Sequence, residues 1–544
     1  MQSARNRTHT LLLACCCGFF LFYGLNQFGL VGADEPRYAQ VAREMLDRHD
    51  WITPVLGGQP WLEKPPLYYW QAMIADSVFG VKDWAARVPS AVDATLLVLA
   101  VYFFLRRFRR GYEMEGALIA ASSAGVVGLG RAAATDMPLA ATFSIAMLAW
   151  WAWRESGNRV YLAAFYVWMG LGVLAKGPVA PLLAGAVIVL YAAAAGELRV
   201  IWRTLWMPGL ALFLAVALPW YVAAQMRNPQ FFRTFILEHN LARFSSNLYH
   251  HRQPFWFYAP VMLLALMPWT VFILAAGVRT ARLWWSEKTW QSRPAEAEDP
   301  ENGLSLFALC WLLVPVGFFS LSQSKLPAYI LPAVPAGALL VAEYMRQNIE
   351  DLGNQPPPPL LVKLHGLVAA VPVFPALLIQ YLVTQHRIPP GKPALIASAI
   401  SALLAIMVVV MLSGKVGVRA LRFATLIPAV LAVGLVFKLG AATLNDCLSA
   451  RPLAEEISRH QPHAMPFAVQ GVRREIEYGL AFYRNQPPLH YDGGTIAPGE
   501  YLLVVPRGYE VAPSGRRTLL LGRFDPQQVD YYWVLPADVP VLKP

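Results

Sequence analysis

The segment that decides the fold class is VPSAVDATLLVLAVYFFLRRFRR, residues 88–110. Residues 88–105 carry one charged side chain, Asp93. Four arginines end the segment: Arg106, Arg107, Arg109 and Arg110. A helix needs about 20 mainly apolar residues to cross the roughly 30 Å hydrocarbon core of a bilayer. The segment therefore predicts a transmembrane helix with a basic, cytoplasmic end.

Runs of the same kind recur along the chain. Of the 544 residues, 56% are hydrophobic and 15% are charged, and the mean hydropathy is +0.42. Soluble proteins average about 45–50% apolar and about 25% charged residues. We therefore predict a polytopic α-helical membrane protein with about 13 spans. The predicted spans lie near residues 10–31, 88–105, 115–130, 137–153, 160–175, 178–196, 204–224, 257–278, 304–322, 326–345, 360–384, 394–413 and 420–441.

The short loops predict the orientation, because cytoplasmic loops are enriched in Lys and Arg. With the N-terminus inside, we count sixteen Lys and Arg residues in the short loops assigned to the cytoplasm and five in the short connections opposite. An odd number of spans then places the C-terminus outside. Two long segments, residues 32–87 and 225–256, also fall on the outer side.

The C-terminal part of the chain changes character. RPLAEEISRH has helical spacing, whereas PFAVQGV, YLLVVP, RTLLLGRF and DYYWVLP are typical of short strands between turn residues. We predict a transmembrane domain over residues 1–445 and a small periplasmic α/β domain over residues 446–544.

Composition and motifs exclude several classes of protein. The net charge of +11 comes from basic residues spread over many loops, so a nucleic-acid surface is not indicated. The five cysteines show no CxxC or zinc spacing. The chain has neither a P-loop nor a G-x-G-x-x-G motif, so nucleotide binding is not predicted.

A cluster of charges opens the first outer segment. In GADEPRYAQVAREML, residues 32–46, the residues Asp34, Glu35 and Arg37 follow directly on an apolar run. Pro36 favours a helix start here, and helix capping explains one of the two acids but not both. Ionisable groups at a membrane boundary are costly, so a functional role is expected.

Further polar and aromatic residues fall on the same predicted outer side. They are Glu63, Lys64, Tyr68 and Tyr69 in WLEKPPLYYW; Arg131 and Asp136 in RAAATDMP; Lys176 in LAKGPVAP; His239, Arg243, His250 and His251 in the long loop; and Lys325 and Tyr329 in SQSKLPAYILPAVP. Snorkelling cations, interfacial tyrosines and solvated loop histidines are simpler explanations for each residue taken alone. Their common side favours one site for an anion beside the membrane, such as the phosphate of a polyprenyl-phosphate sugar.

Four motifs together resemble a known group of enzymes. The Asp34–Glu35 pair, EKPPLYYW, HNLARFSSNLYHHRQPFWFY and SKLPAYILPAVP resemble integral-membrane glycosyltransferases of the GT-C superfamily, and within it the bacterial lipid A aminoarabinose transferases. The resemblance covers the whole chain. It implies transfer of 4-amino-4-deoxy-L-arabinose from undecaprenyl phosphate to a lipid A phosphate on the periplasmic face of the inner membrane. It also implies resistance to polymyxin and to cationic antimicrobial peptides.

Two alternatives stay open at this point. A protein O-mannosyltransferase, or another enzyme with a polyprenyl-phosphate sugar donor, would share the acid pair. A transporter or flippase of lipid-linked sugars would need a polar path through the membrane. Few charges lie inside the predicted spans, chiefly Asp93, Lys363 and Lys438, each near a span end, which disfavours the transporter.

The expected reaction assigns roles to the candidate residues. Catalytic roles fall to Asp34, Asp136 and Glu35, and donor-phosphate binding to Lys64, Arg37 and Lys176. Substrate or lipid contacts fall to Tyr38, Glu63, Tyr68, Tyr69, His239, Arg243, His250, His251, Lys325 and Tyr329. No cofactor is firmly implied. A divalent ion held by Glu63 and a loop histidine is a further hypothesis, since carboxylate and imidazole are usual ligands of zinc or manganese, but no spacing fixes the pair.

Overall fold

The computed structural model describes residues 2–235, 238, 253–286, 300–351, 359–370, 441–460, 465–490, 499–509 and 516–535, with a few residues between 425 and 437. The chain forms two compact units. The helical unit comprises Met1–Tyr23, Leu62–Tyr68 and Arg87–Val436. The mixed unit comprises Gly24–Trp61, Tyr69–Ala86 and Phe437–Pro544.

Sixteen helices precede residue 371 in the described part of the chain. They are α1 Gln2–Cys17, α2 Asp34–Asp47, α3 Leu67–Phe79, α4 Asp83–Phe108, α5 Glu113–Ser122, α6 Ala124–Leu129, α7 Asp136–Ser156, α8 Arg159–Lys176, α9 Val179–Ala195, α10 Arg199–Thr204, α11 Met207–Arg227, α12 Tyr258–Ala265, α13 Thr270–Ser286, α14 Pro300–Leu321, α15 Val334–Asp351 and α16 Pro359–Ala370. A π-helical turn, Gly18–Phe22, extends α1, and a 3₁₀ turn, Pro327–Ala333, precedes α15.

Several of these helices are long and apolar enough to cross a membrane. Among the described residues, four reach this length and hydropathy singly, and a bent pair can count as a fifth. The four are Asp83–Phe108, Met207–Arg227, Gly303–Leu321 and Pro327–Gln347, and the bent pair is Phe255–Ala265 with Thr270–Ser286. The protein is therefore an α-helical integral membrane protein. The total of about 13 spans stays a prediction, because the segment 394–413 lies outside the described residues.

Two predicted spans are broken rather than continuous. The run 115–130 is divided into α5 and α6 at Ser123, whose backbone is extended. The run 257–278 is divided into α12 and α13, which are bent by 116° relative to each other. Pro268 lies in the second break and has no N–H to donate to a helical hydrogen bond.

The two breaks bond to each other, which explains why both are tolerated. The backbone N–H of Ala124 donates to the carbonyl of Met267 at 2.8 Å. The indole Nε1 of Trp269 donates to Ser122 Oγ at 2.8 Å. Non-helical backbone at membrane depth is stable only where its polar groups find partners inside the protein. A hydropathy pattern cannot show such a pairing, because the two breaks are far apart in sequence.

The mixed unit contains the sheet predicted at the C-terminus. A two-stranded hairpin, β1 Val55–Leu56 and β2 Gln59–Pro60, follows α2, and three helices come later: α17 Ala441–Leu448, α18 Arg451–His460 and α19 Arg474–Arg484. The remaining strands are β3 Phe467–Val469, β4 Leu489–His490, β5 Tyr501–Pro506, β6 Arg517–Phe524 and β7 Val529–Leu535. The sheet order is β4-β3-β5-β7-β6, with β3 parallel to β4 and β5, and β7 antiparallel to β5 and β6.

The core of this sheet explains its order. Leu453 and Ile457 of α18 and Leu480 of α19 are buried against Phe467 and Val504 of the strands. The five residues Tyr501 to Val505 of β5 are all buried, as expected for a strand covered on both faces. The four apolar segments that predicted strands all form strands.

Helix α2 packs within the same unit as the C-terminal elements. The guanidinium Nη1 of Arg43 donates to the carbonyl of Phe482 in α19 at 3.2 Å. Just before α2, the N–H of Leu30 donates to the hydroxyl of Tyr483 at 2.7 Å. The helix that carries the Asp34–Glu35 pair is therefore held by residues more than 400 positions later in the chain.

Candidate functional site

Asp34 and Glu35 occupy the first turn of α2 in different environments. Glu35 is buried, and its Oε2 accepts a hydrogen bond from the N–H of Val31 at 2.8 Å. The side chain of Asp34 is 52% exposed. The positive end of the helix dipole favours a carboxylate at this position. Glu35 thus holds the turn that leads into α2, while the Asp34 carboxylate is partly exposed.

Arg37 lies one helical turn after Asp34 and is paired with it. Its Nη2 donates to Asp34 Oδ1 and lies 3.4 Å from the hydroxyl of Tyr38. Residues at i and i+3 share a helix face, which accounts for the contact. The sequence predicted a phosphate-binding role for Arg37; its observed partner in the structure is Asp34.

The WLEKPPLYYW segment contributes to both units. In the helical unit, Glu63 and Lys64 are half-buried, and Tyr68 is fully buried. In the mixed unit, the ring of Tyr69 packs edge-to-face against that of Tyr38, with centroids 6.1 Å apart. Tyr68 and Tyr69 are both fully buried, so neither is an interfacial tyrosine at the protein surface.

Asp136 and Lys176 form an ion pair in the helical unit. Asp136 begins α7 and Lys176 ends α8, and the two helices are joined by a short connection through Gly157, which has a left-handed backbone. The Nζ of Lys176 donates to Asp136 Oδ1 and lies 4.9 Å from the ring centroid of Tyr329. An acid at a helix start and a base at a helix end both complement the helix dipoles.

Tyr329 lies in the 3₁₀ turn before α15, and Lys325 lies two residues before that turn. Lys325 is buried, and its Nζ donates to the carbonyl of Ser322 at 2.5 Å. The ring of Tyr329 packs against Phe319 at 5.3 Å between centroids. The contact of Tyr329 with Lys176 brings two separate sequence motifs together.

Arg131 closes the end of the first helix. It is buried, and its guanidinium donates to the carbonyls of Phe20, at 2.8 Å, and of Tyr23. The last carbonyls of a helix lack partners within that helix. Arg131 therefore supplies a C-terminal cap for the π-helical turn, which is a structural role.

Four candidate residues lie outside the described residues: His239, Arg243, His250 and His251. Their roles stay predictions, as does the metal hypothesis that joins Glu63 to one of these histidines. Within the described ranges, no group of three or more His, Cys, Asp or Glu side chains is arranged to hold a metal ion.

Several known proteins are similar to this chain. The family described as dolichyl-phosphate-mannose-protein mannosyltransferase matches residues 63–222. An undecaprenyl phosphate-alpha-4-amino-4-deoxy-L-arabinose arabinosyl transferase of Pseudomonas aeruginosa (strain UCBPP-PA14) is 32% identical over 364 residues, 64% of this chain and 62% of that protein. A protein of the same name from Pseudomonas savastanoi pv. phaseolicola (strain 1448A / Race 6) is 31% identical over 473 residues, 84% of this chain and 82% of that protein.

The chain belongs to this arabinosyl transferase family. The resemblance drawn from its motifs is thereby confirmed. The matched part spans 62% of the length of the P. aeruginosa protein. The structure is also similar to the crystal structure of ArnT from Cupriavidus metallidurans bound to undecaprenyl phosphate, with a TM-score of 0.70, 23% sequence identity, and coverage of 96% of this chain and 97% of that chain. This likeness shows that the two proteins have the same fold, in agreement with the fold class expected from the sequence.

A buried cluster of charged side chains in this member of the arabinosyl transferase family was not predicted from the sequence. Arg109 Nη1 lies 2.8 Å from Glu155 Oε1, and its Nε lies 3.4 Å from Glu343 Oε2. Glu343 also pairs with Arg346 at 2.5 Å. Arg109 and Arg346 had been counted only as loop charges that set the orientation. The available signals were Glu155 in an otherwise basic loop and Glu343 near the end of a predicted span.

A second feature that the sequence did not reveal is a buried acid, Asp76, in α3. Its side chain is 4% exposed, and its Oδ1 has no hydrogen-bond partner among the described residues. Burial raises the pKa of Asp76 to about 7, while the nearby Arg43 guanidinium opposes the shift and Asp47 adds to it. Both neighbours, Arg43 and Asp47, lie on α2, the helix that carries Asp34.

Proposed function

We propose that this protein transfers 4-amino-4-deoxy-L-arabinose from undecaprenyl phosphate to a phosphate of lipid A, at the periplasmic face of the bacterial inner membrane. The added amines would lower the negative charge of the outer membrane and give resistance to polymyxin and cationic antimicrobial peptides. Membership of the arabinosyl transferase family over 84% of the chain supports the donor sugar and its carrier. The similar protein from C. metallidurans was crystallised with undecaprenyl phosphate bound, and this supports undecaprenyl phosphate as the lipid carrier of the sugar.

The observation that carries the proposal is the exposed carboxylate of Asp34 at the start of α2. Its neighbour Glu35 is buried and bonded to the backbone, so the two acids have separate tasks. Asp34 is available to orient the acceptor or to bind the ammonium group of the sugar. Arg37 would restrain Asp34 through their contact rather than bind the donor by itself.

The proposed reaction exchanges one phosphate for another at the anomeric carbon. The bond from that carbon to the undecaprenyl phosphate oxygen breaks, and its electron pair leaves with the phosphate. A lipid A phosphate oxygen forms the new bond. The leaving group is already stable as an anion, so it needs cations to stabilise its developing charge more than a general acid. Lys64 and Lys176 are the proposed cations, with Asp136 holding Lys176 in place.

Loop charge supports the periplasmic orientation of the site. The predicted cytoplasmic loops hold sixteen Lys and Arg residues against five opposite. Asp34, Lys64 and Lys176 all fall on the side that is poor in these residues. This asymmetry is the signal that sets orientation in bacterial membranes.

One alternative acceptor is supported by a specific observation. Residues 63–222 match the dolichyl-phosphate-mannose-protein mannosyltransferase family, whose name specifies a protein acceptor. A hydroxyl acceptor would need Asp34 as a general base, whereas an ionised lipid A phosphate would not. The acceptor is therefore the feature that an experiment has to decide.

Mass spectrometry of lipid A separates these functions. Cells that carry the wild-type chain should contain lipid A with added aminoarabinose, and cells that lack the chain should not. Asp34→Asn, which keeps the shape and removes the charge, should abolish the addition at an unchanged protein level. Transfer of the sugar to protein, with unmodified lipid A, would favour the alternative and contradict the proposal.

A further inference from the structure

The guanidinium of Arg37 is surrounded by three aromatic rings. Its Cζ lies 5.0 Å from the ring centroid of Tyr38, 5.3 Å from that of Trp61 and 5.5 Å from that of Tyr478. A cation within about 6 Å of a ring centroid is attracted by the electron-rich face of the ring. The three rings, here called the Arg37 cage, therefore all attract the guanidinium.

The rings of the cage come from three separate parts of the mixed unit. Tyr38 follows Arg37 in α2. Trp61 comes directly after the β1–β2 hairpin, and its N–H donates to the carbonyl of Pro54 at 2.7 Å. Tyr478 belongs to α19, more than 400 residues later in the chain.

Helix α19 is fixed against α2 by a contact one turn beyond Tyr478. Arg43 of α2 donates to the carbonyl of Phe482, and Phe482 follows Tyr478 by four positions. Residues four apart share one face of a helix. The turn of α19 next to Tyr478 is therefore bonded to α2, and the position of the ring is set by packing between the two helices.

The cage leaves the two members of the ion pair unequally exposed. The side chain of Arg37 is 12% exposed, whereas that of Asp34 is 52% exposed. The guanidinium is planar and donates in a fixed fork, so its orientation decides where its carboxylate partner lies. An Arg37 whose guanidinium is held by three rings can thus direct the Asp34 carboxylate without taking its place.

We propose that Tyr478 is a positioning residue for the sugar transfer: its ring completes the cage that fixes Arg37, and Arg37 orients Asp34. The inference rests on the proposed function and gives the C-terminal elements a part in it. Tyr478 would act through Arg37 and would not touch the substrate.

Transfer kinetics of the purified full-length protein in vesicles, with undecaprenyl-phosphate aminoarabinose and lipid A, test the proposal. Tyr478→Leu should lower kcat by about 5- to 30-fold, the change that corresponds to about 1–2 kcal/mol. The KM for the donor should change little. Tyr478→Phe keeps the ring and should recover most of the rate. The matched control is Tyr509→Leu, at an exposed tyrosine of the same unit, and it should leave the rate unchanged.

A double-mutant cycle distinguishes positioning from a general structural role. Once Arg37→Gln has removed the guanidinium, adding Tyr478→Leu should cost almost nothing further, since interacting residues are non-additive. Trp61→Leu gives a second, independent removal of a cage ring and should reproduce the loss in kcat. It keeps the proposal testable if Tyr478→Leu does not fold.

Three results would overturn the inference while leaving the proposed function intact. They are a wild-type rate in Tyr478→Leu, equal losses in Tyr478→Leu and Tyr478→Phe, and full additivity with Arg37→Gln. Failure of the proposed function would appear differently, as an absence of transfer to lipid A by the wild-type protein itself.

Discussion

The ammonium of Lys176 donates a hydrogen bond to the carboxylate of Asp136, forty positions earlier in the chain. Both side chains are largely buried, at 14% and 15% exposure. The ring of Tyr329 lies 4.9 Å from the same ammonium. The sequence predicted only that the motifs of Asp136, Lys176 and Tyr329 lie on one side of the membrane. In the helical unit these three side chains contact one another through Lys176.

If Lys176 stabilises the donor phosphate, its loss should be more costly than the loss of its partner. Lys176→Met keeps an apolar chain of similar length and should lower the rate of transfer by about 10- to 150-fold, since a charge-assisted contact contributes about 1.5–3 kcal/mol. Asp136→Asn leaves the cation in place and should cost less. Transfer to lipid A in vesicles measures both effects.

The exchanged variant, Asp136→Lys with Lys176→Asp, is the control for structure. It retains an ion pair between α7 and α8 but moves the cation by the length of a side chain. We expect low activity and a thermal unfolding temperature somewhat below that of wild type, because both exchanged charges oppose the helix dipoles. Recovery of activity in the exchanged variant would show that only the ion pair matters, and a phosphate-binding role for Lys176 would be wrong.

Lys64 should also behave as a phosphate-binding cation rather than a snorkelling one. Lys64→Ala should lower the rate by about 10- to 150-fold for the reason given for Lys176, and Lys64→Arg should recover part of it by keeping the charge. A lysine whose ammonium only reached water would tolerate alanine. The rate of transfer and the KM for the donor are the quantities to measure.

Arg107 is the matched control for Lys64. It is an exposed cation at the predicted cytoplasmic end of α4, so Arg107→Ala should leave transfer unchanged. Equal losses at the two positions would indicate a defect in membrane insertion or stability, and the role assigned to Lys64 would have to be withdrawn.

The sequence predicted those features that depend on neighbouring residues. The apolar run 88–105 forms most of α4, and the arginines after it end that helix. The acid–proline sequence at Asp34 begins α2, as expected for a helix start. Short apolar segments between turn residues near the C-terminus form the strands of the sheet.

Features that depend on distant residues could not be predicted in this way. No local pattern indicates that Tyr478 lies over Arg37, or that Lys176 bonds to Asp136. Arg109 was interpreted as a loop charge, although it is buried beside Glu155, because hydropathy reports how many charges a loop has and not which of them are paired. These contacts arise only when the helices pack.

The raised pKa of Asp76 predicts a pH-dependent stability. Its folded-state pKa, about 7, is above the unfolded value of 3.8, so the folded protein binds more protons between these values. The free energy of unfolding should therefore fall as the pH rises from about 4 to about 7. Asp76→Asn removes this titration and should unfold at a higher temperature than wild type at pH 8, with a smaller difference at pH 5.

Thermal unfolding in detergent at both pH values checks this prediction. Asp525→Asn is a suitable control, because the Asp525 side chain is 72% exposed and should affect the unfolding temperature little at either pH. A difference between wild type and Asp76→Asn that is the same at both pH values would contradict the assignment of the titration to Asp76.

The orientation of the chain can be tested by labelling single cysteines from the periplasm. The five native cysteines are first replaced by serine. Thr518→Cys, at an exposed position of β6, should react with a membrane-impermeant thiol reagent in intact spheroplasts. Arg107→Cys is also exposed but follows the basic end of α4, so it should react only after the membrane is permeabilised. The reverse pattern would place Asp34 and Lys176 on the cytoplasmic side, and the proposed transfer at the periplasmic face would then be wrong.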